Sequence, residues 1–337
     1  MPFVTNGNAD RTGPEAAWES ALSGATPLIT VAICTRNRAA SLQKAVDSVL
    51  PQLSEDIELL IVDNASTDNT PEVAMHLAAA NRQVTVCLED EVGLSAARNK
   101  ALLQARGQYV LFLDDDAVAE PGWLAAYHQF LSAPPSGRIA VVGGAVLPEF
   151  EVAPPRWLQQ NGYKLDLGNA PKRVSARGGP WGGNSSYRRD VVLKAGMFNT
   201  RLGRKGESLG GHEESDLNQR LEDAGCEIWW LGSARIRHFE PAERVRLRWH
   251  LRSQFNQGRS SVIMRAGHKP QSLNRRLYAV ARLFVAPFQF AALVFLAVLA
   301  LALAQRRLAA SSVIRAARVA GFALQLGVQL VRVREER

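Results

Sequence analysis

Cysteine is scarce in this sequence, and no export signal opens it. The three cysteines, Cys34, Cys87 and Cys226, are odd in number, far apart and without the spacing of a metal site. We therefore expect them to be small core residues of a protein in a reducing compartment. Residues 1–26 are polar and rich in glycine, asparagine and alanine, which predicts a flexible leader rather than a secretory signal.

Two glycine-rich motifs that bind nucleotides are also missing. The first predicted strand is followed by the sequence CTRNRAAS, which contains no glycine, so the chain lacks the fingerprint of a dinucleotide-binding fold. A P-loop is absent as well. A nucleotide bound at this position would therefore be held by side chains and not by a glycine-rich backbone loop.

The net positive charge of the protein comes from one part of the chain. From Arg235 onward there are 19 Lys or Arg residues against 4 Asp or Glu residues, a net charge of +15, whereas the first 234 residues hold the remaining 21 and 28, a net charge of −7. A basic segment of this kind predicts a polyanionic partner, which is either nucleic acid or an anionic membrane surface.

A long apolar run decides between these two partners. Residues 283–304 carry no charge, and only Gln289 is polar. As a helix the run would be about 33 Å long, enough to cross the hydrocarbon core of a bilayer. Arginines flank it on both sides, as expected for contacts with lipid headgroups. We therefore expect an anionic membrane surface as a partner and no nucleic acid; whether the run spans the bilayer or lies in it stays open.

The stretch that follows, residues 311–331, is apolar with one polar stripe. The helical spacing of the stripe predicts an amphipathic helix, which either lies in the membrane interface or docks on the soluble domain. The residues of the stripe are Arg315, Arg318, Gln325, Gln329 and Arg332.

The front half of the chain alternates strands and helices. Three successive βα units followed by a fourth strand predict an α/β fold with a mostly parallel, doubly wound, Rossmann-like sheet. Ligands of such sheets gather at the carboxyl ends of the strands. The predicted strands are 28–34, 57–63, 84–89 and 109–114, and the predicted helices are 39–50, 70–80 and 94–105.

Polar clusters follow the first, second and fourth predicted strands. Asp63 can accept a hydrogen bond from a base or ribose, and Arg38 and Arg98 can face a diphosphate. Asp63 can equally cap a turn, and Arg98 can be a surface charge on a helix. The expected nucleotide- and donor-binding residues are Thr35, Arg36, Asn37, Arg38, Asp63, Ser66, Arg98, Asp114 and Asp115.

Three aspartates stand together at the end of the fourth strand. In an extended chain Asp114 and Asp116 point to one face and Asp115 to the other. Two carboxylates on one face form a hard oxygen site that suits Mg²⁺ or Mn²⁺. Alternatively, the acids only precede the helix predicted to begin at Pro121 and lie favourably near its positive end.

Four blocks of sequence together resemble family 2 glycosyltransferases of the GT-A fold, which are inverting and use nucleotide sugars. The blocks lie within residues 28–118, and weaker ones extend the resemblance to about residue 240. The resemblance implies that Asp116 ligates the metal, that Asp114 reaches the metal or ribose, and that Asp115 touches the donor sugar. The strong blocks are VAICTRNRAASLQKAVDSVL, LLIVDNASTDNT, EVGLSAARNKAL and YVLFLDDDA.

The same resemblance divides the chain. It implies a GT-A domain over residues 27–265, with a nucleotide-binding half (27–118) and an acceptor half (119–265), followed by a membrane-associated helical tail (266–337). The expected partners are a nucleotide-sugar donor and a saccharide or lipid-linked acceptor, as in cell-envelope or extracellular polysaccharide synthesis. We expect the enzyme at the inner, cytoplasmic membrane with its catalytic domain facing the cytoplasm.

The acceptor half supplies the remaining candidates. The GPWGGNSS segment can bind a sugar through Gly183 and Asn184 and by stacking on Trp181, although a plain glycine turn has the same composition. Where the family usually has Glu-Asp, with the second acid as catalytic base, this chain has Glu213 and Glu214. We expect Glu214 to be the base and Glu213 to be its nearest competitor; the pair could also be a simple charge cluster at a helix start.

His238 follows at the end of a later predicted strand. Related GT-A enzymes often take a third metal or diphosphate contact from a histidine in this region, and a structural histidine is equally compatible with the sequence.

Two other classes fit parts of the sequence. Haloacid-dehalogenase-like phosphohydrolases also end a strand with Asp-x-Asp-x-Val, in which Asp114 would be the nucleophile and Asp116 the acid. That family places the motif on its first strand, and three βα units precede it here. The other class is a catalytically inactive sugar-nucleotide-binding module, which would lack the general base.

Overall fold

The computed structural model describes residues 26–158, 163–267 and 273–335. The predicted leader therefore lies, apart from its last residue, outside the described residues.

Four parallel strands form the first half of the sheet. Their sequences are apolar and rich in β-branched residues, and β1, β2 and β4 are buried on both faces, as parallel strands covered by helices must be. Their spatial order is β3-β2-β1-β4, which confirms the predicted doubly wound sheet. The strands are β1 (Ile29–Thr35), β2 (Ile57–Asp63), β3 (Val84–Leu88) and β4 (Tyr109–Leu113).

The second half of the sheet is mixed. An antiparallel strand, β8, pairs with β4, and beyond it β6 and β9 form a long parallel pair. Short strands β5 and β7 each pair antiparallel with β9. The added strands are β5 (Ala117–Ala119), β6 (Ile139–Phe150), β7 (Lys172–Val174), β8 (Asn184–Arg188) and β9 (Glu227–Glu240).

Helices cover both faces of this sheet. Leu42 of α1, Leu77 of α2 and Trp123 of α4 belong to one buried cluster, and Ala101 of α3 and Leu217 of α6 belong to the cluster on the other face. The helices are α1 (Ala39–Val49), α2 (Thr70–Ala80), α3 (Leu94–Gln104), α4 (Trp123–Ser132), α5 (Arg189–Lys194) and α6 (Glu213–Asp223).

Three long helices follow the sheet: α7 (Leu247–Gly267), α8 (Leu273–Ala302) and α9 (Arg306–Glu335). Helix α9 packs against both α7 and α8. Two glycines allow α7 and α9 to cross closely, because a Cβ on Gly258 would lie 2.1 Å from the carbonyl oxygen of Arg318 and a Cβ on Gly321 would lie 1.9 Å from that of Phe255.

Two residues of the polar stripe of α9 contact α7. Arg259 Nε of α7 donates a hydrogen bond of 3.2 Å to Gln325 Oε1, and Arg318 reaches Gln254 and Ser261 at 3.5 Å. At the start of the helix Arg307 Nε donates to the carbonyl oxygen of Arg156 at 2.7 Å. Helix α9 is therefore docked on the rest of the protein, as one of the two arrangements for this segment requires.

Helix α8 has two unlike apolar faces. Small residues, among them Ala286, Ala297 and Ala300, are buried against the protein, whereas Phe284 and Phe295 are 72% and 70% exposed. Two segments, Ala279–Ala302 and Arg306–Leu330, are long and apolar enough to cross a membrane. The outer face of α8 is thus a large apolar surface without a partner among the described residues.

The close crossing of α7 and α9 gives a stability prediction. Gly321→Val would force the two helices apart and should destabilise the protein by about 1–3 kcal/mol, the usual result of overpacking. Gly327→Val is the matched control, since a Cβ on Gly327 of the same helix meets nothing within 4 Å. Chemical unfolding of the full chain in detergent, together with protease sensitivity of α9, measures the difference. Equal behaviour of the two variants would contradict the close crossing.

Candidate active site

A cleft of about 980 Å³ opens at the carboxyl ends of β1 and β4. Its lining comes from the strand ends, the glycine segment 178–183, the start of α6, and helices α7 and α9. The predicted nucleotide-binding and acceptor-binding segments therefore share one cleft, as expected for a topological switch point of a doubly wound sheet.

Asp114, Asp116 and His238 form a potential metal site in this cleft. One ligand atom of each lies within 4.8 Å of the others. Strand pairing brings the histidine there, because Ala117 of β5 lies opposite His238 of β9. Two carboxylates and an imidazole suit a divalent cation such as Mn²⁺ or Mg²⁺. The structure thus brings together the three residues that the sequence analysis selected as metal ligands.

Asp116 is the most strongly paired of the three aspartates. Its Oδ2 lies 2.7 Å from Arg38 Nη1 and 3.0 Å from Arg244 Nη2, and its Oδ1 lies 3.1 Å from His238 Nε2. Burial alone would raise the pKa of Asp116, but these cationic neighbours hold it well below its usual value. Asp116 is therefore an ionised carboxylate in the cleft.

His238 lies between two carboxylates. Burial alone would lower the pKa of His238, but Asp116 on one side and Glu240, 3.0 Å from its Nδ1, on the other raise it to about 10. Arg244 also pairs with Glu240, at 3.1 Å. Arg244 was not predicted from the sequence, because the residue belongs to no motif and reaches Asp116 only through the turn that follows β9.

Asp115 is not a member of this cluster. The predicted extended strand end is wrong, because β4 ends at Leu113 and Asp115 and Asp116 form a turn, with Asp115 Oδ1 3.6 Å from Arg38 Nη1. Thr35 Oγ1 donates a hydrogen bond of 2.8 Å to Asp115 Oδ2. Burial, aided by the negative charge of Asp116, outweighs Arg38 and raises the pKa of Asp115 to about 7. Asp115 thus links β4 to the end of β1 while it still lines the cleft.

The loops after β1 and β2 are fastened to each other. The Asn37 backbone N–H donates to Ser66 Oγ at 3.0 Å, and Ser66 Oγ in turn donates to Asp63. Arg36 donates to the backbone carbonyl oxygen of Asn64 at 2.6 Å. Arg36 lines the cleft, whereas Asn37, Asp63 and Ser66 do not. These three predicted donor-binding residues therefore support the loops rather than lie in the cleft wall.

Arg98 is buried, with only 2% of the residue exposed. Its Nη2 lies 3.3 Å from Asp114 Oδ1 and its Nη1 lies 3.2 Å from Glu213 Oε1. The guanidinium carbon lies 5.6 Å from the ring centres of both Phe112 and Phe198. The alternative of a surface helix charge is therefore wrong for Arg98, which connects the metal site to the acids of α6.

The glycines of the GPWGGNSS segment make room for protein groups. A Cβ on Gly182 would lie 2.6 Å from Arg98 Nη1, and a Cβ on Gly183 would lie 2.2 Å from Asp114 Oδ2. Gly183 was predicted to allow the close approach of a sugar. In the structure, a side chain on Gly183 would collide with Asp114. Trp181 lines the cleft as predicted for a sugar-facing residue.

The predicted sugar contact of Asn184 is wrong, because the residue is fully buried. Its Oδ1 accepts hydrogen bonds from Trp123 Nε1 at 2.8 Å and from the Tyr127 hydroxyl at 3.0 Å. Its Nδ2 donates to the carbonyl oxygens of Ala145 and Ala234. With its amide used in this way, Asn184 joins α4 to strands β6 and β9 and has no group left for a ligand.

Glu213 and Glu214 begin helix α6, directly after His212, whose φ of 72° turns the chain sharply. Glu213 is buried, and burial and the charge of Glu214 raise its pKa to about 8. Burial opposes ionisation of Glu214 too, but the charge of Arg98 and hydrogen bonding lower its pKa. Glu214 lines the cleft and accepts a hydrogen bond of 3.4 Å from the Gly182 N–H. Of the two acids, Glu214 is thus the ionised one.

Helix α7 braces this turn. A Cβ on Gly211 would lie 2.5 Å from Gln257 Nε2, and the Gly211 N–H donates to Ser260 Oγ at 3.3 Å. Ser261 Oγ lies 3.1 Å from His212 Nε2. The position of the α6 acids therefore depends on a helix outside the sheet.

The sequence of the chain matches a known protein family. Residues 30–195 match the family described as Glycosyl transferase family 2. The chain is 28% identical, over 242 residues, to a glucosyl-dolichyl phosphate glucuronosyltransferase of Haloferax volcanii. The aligned region covers 70% of this chain and 77% of that protein. Further curated relatives match 27–31% of this chain but only 10–36% of their own length.

Two solved structures share the fold. A mannosyltransferase of Pyrobaculum calidifontis, in complex with GDP-Man and Mn²⁺, superposes with a TM-score of 0.54 at 17% identity, over 91% of this chain and 76% of that one. GalNAc-T7, with UDP, GalNAc and Mn²⁺, superposes with a TM-score of 0.52 at 17% identity, over 70% of this chain and 48% of that one. The chain thus has the GT-A fold of these glycosyltransferases.

Within that fold class, residues 30–195 carry the domain of glycosyltransferase family 2, the family that the sequence blocks resemble. The alternative of a haloacid-dehalogenase-like phosphohydrolase is therefore wrong.

The acid pair gives a pH prediction. The pKa of Glu213, about 8 in the folded protein against 4.5 for an ordinary glutamate, means that folding takes up a proton between these values. The contribution of Glu213 to stability is therefore present at low pH and lost as the pH rises from about 4.5 to about 8. Glu213→Gln should flatten this part of the stability profile, which urea unfolding at several pH values measures. A profile parallel to that of the wild type would contradict the raised pKa.

Proposed function

We propose that this protein transfers a sugar from a nucleotide-sugar donor to an acceptor hydroxyl with inversion at the anomeric carbon. The observation that carries the proposal is the joint position of the Asp114–Asp116–His238 cluster and Glu214 in one cleft. The cluster suits a diphosphate with its cation, and the ionised acid suits a hydroxyl to be deprotonated.

The donor would lie at the strand ends. Asp114, Asp116 and His238 would hold a divalent cation, which when bound supplies positive charge beside the donor diphosphate. Arg38 and Arg244 pair with Asp116 and so offset its negative charge. Thr35, Arg36 and Asp115 line the same end of the cleft and would contact the nucleotide or donor sugar.

Glu214 would act as the general base. Its pKa is lowered, so the carboxylate is ready to accept the proton of an acceptor hydroxyl at neutral pH. The hydroxyl oxygen then bonds to the anomeric carbon while the bond from that carbon to the diphosphate oxygen breaks. Attack opposite the leaving group inverts the anomeric centre. Glu213, which is protonated below about pH 8 and bound to Arg98, would support its neighbour without competing for the proton.

The acceptor would be a saccharide or a lipid-linked sugar, used in the synthesis of cell-envelope or extracellular polysaccharide. The match to a glucosyl-dolichyl phosphate glucuronosyltransferase supports a lipid-linked acceptor. The apolar outer face of α8 supports attachment to a membrane surface, with residues 266–337 as the attached part. We propose the inner, cytoplasmic membrane, with the cleft on the cytoplasmic side where nucleotide sugars are made.

The metal site makes donor binding dependent on a divalent cation. Mn²⁺ should tighten the binding of a nucleoside diphosphate to the wild type, and Asp116→Asn should abolish that gain because the variant loses a charged ligand. Calorimetric titrations with and without Mn²⁺ measure both affinities. Asp47→Asn, which removes an exposed acid on α1, is the matched control and should behave as the wild type. Equal affinities with and without metal in all three proteins would overturn the metal site.

The base assignment predicts a split between binding and transfer. Glu214→Gln keeps the shape of the side chain and loses its basicity, so donor affinity should persist while the transfer rate falls by about 10²-fold or more. Glu213→Gln should cost much less. Nucleoside diphosphate release and donor titration measure the two quantities. If Glu213→Gln loses transfer and Glu214→Gln keeps it, Glu213 is the base; if both variants keep it, helix α6 provides no base.

A further inference from the structure

Two arginines of α9 lie in the wall of the cleft, a position that the sequence did not predict for this helix. Arg315 and Arg318 line the cleft together with Ser311 and Ile314 of the same helix. Both arginine side chains are exposed. The last helix of the tail is therefore also part of the site.

These two arginines have no anionic partner in the part of the chain that the structure describes. No carboxylate lies within 4 Å of either guanidinium among the side chains that the structure describes. The contacts of Arg318 are neutral, namely Gln254 Oε1 and Ser261 Oγ at 3.5 Å each, and the main charge acting on it is that of Arg265, also positive. The arginines near the strand ends differ from these two, since Arg38, Arg98 and Arg244 each pair with an aspartate.

A short series of contacts joins Arg318 to the proposed base. Arg318 Nη2 lies 3.5 Å from Ser261 Oγ, which lies 3.1 Å from His212 Nε2. His212 stands two residues before Glu214 in the chain, and burial followed by the charge of Arg318 lowers its pKa. Arg318 therefore lies near the start of α6, which carries Glu214.

Helix α9 packs against α7 and also against α8, so the two arginines and the exposed apolar face of α8 belong to neighbouring helices. An amphiphilic molecule could place its charged group in the cleft while its apolar chain follows the exposed face of α8, whose Phe284 and Phe288 are 72% and 66% exposed. The chemistry of such a molecule is a phosphate ester on an apolar chain, since a guanidinium binds phosphate oxygens in pairs.

We propose that Arg315 and Arg318 bind the phosphate of a lipid-linked acceptor and so bring its sugar hydroxyl to Glu214. The proposal rests on the proposed function and names the acceptor class as a sugar joined through phosphate to an apolar chain. Free polysaccharide without such a phosphate would have no partner for these two charges.

Binding of geranyl phosphate and of geraniol to the full chain in neutral detergent tests the site, because the two probes differ only in the phosphate. Calorimetry should show tighter binding of geranyl phosphate to the wild type. Arg315→Gln and Arg318→Gln should each weaken it by about 10-fold or more, as expected for a hydrogen bond to a charged group. Binding of geraniol and of a nucleoside diphosphate should not change. Arg306→Gln is the matched control, with the same loss of charge on the same helix but outside the cleft.

A second measurement separates an acceptor phosphate from lipid headgroups, using vesicles with and without anionic lipid. If Arg315→Gln, Arg318→Gln and Arg306→Gln weaken vesicle binding alike and geranyl phosphate binds all of them as it binds the wild type, headgroup attraction explains the arginines and the proposal is overturned. The binding assay does not depend on turnover. Loss of geranyl phosphate affinity in the two cleft variants would therefore support the site even if no donor sugar were transferred, an outcome that would contradict only the proposed function.

Discussion

The buried guanidinium of Arg98 holds the two halves of the site together. A cation without contact to water is costly unless carboxylates and hydrogen bonds compensate it. Here the Asp114 carboxylate lies 3.3 Å away and Glu213 accepts a hydrogen bond from the guanidinium, with Phe112 and Phe198 beside it. Gly182 and Gly183 leave the space that this arrangement occupies. Arg98 therefore joins the candidate metal site to the start of α6, which also carries the proposed base.

Local patterns predicted the parts of the molecule that depend on neighbours along the chain. The apolar runs of β1, β2 and β4 identified buried parallel strands. Three βα units in succession admit few topologies, so the doubly wound arrangement of the first four strands was predictable as well. Asp114 and Asp116 were expected on one face of an extended strand, but a turn after β4 brings them together instead. The predicted ligand His238 reached the same place because β5 pairs with β9, a pairing that was not predicted.

Contacts between distant segments were not predictable in the same way. Asn184 has the composition of a sugar-binding residue, but α4, β6 and β9 converge on its amide, and no local pattern reveals that. Ser66 and Asn37 bind each other across two loops, so their polarity was correctly noticed and wrongly assigned to a ligand. Arg315 and Arg318 were recognised as a polar stripe, whereas their position in the cleft depends on the glycine crossing of α7 and α9.

The position of α9 in the cleft wall has a consequence for the biogenesis of the enzyme. The strand ends, Glu214 and Arg244 all precede α7 in the chain, whereas Arg315 comes 101 residues after Glu214. During synthesis from the amino end, the strand ends and Glu214 can therefore fold before α9 has been made. The cleft wall that holds Arg315 and Arg318 is complete only when α9 packs on α7. The order of the chain thus makes this wall the last part of the cleft to form, so that under the proposed function a newly made chain would acquire its donor end first and its acceptor end last.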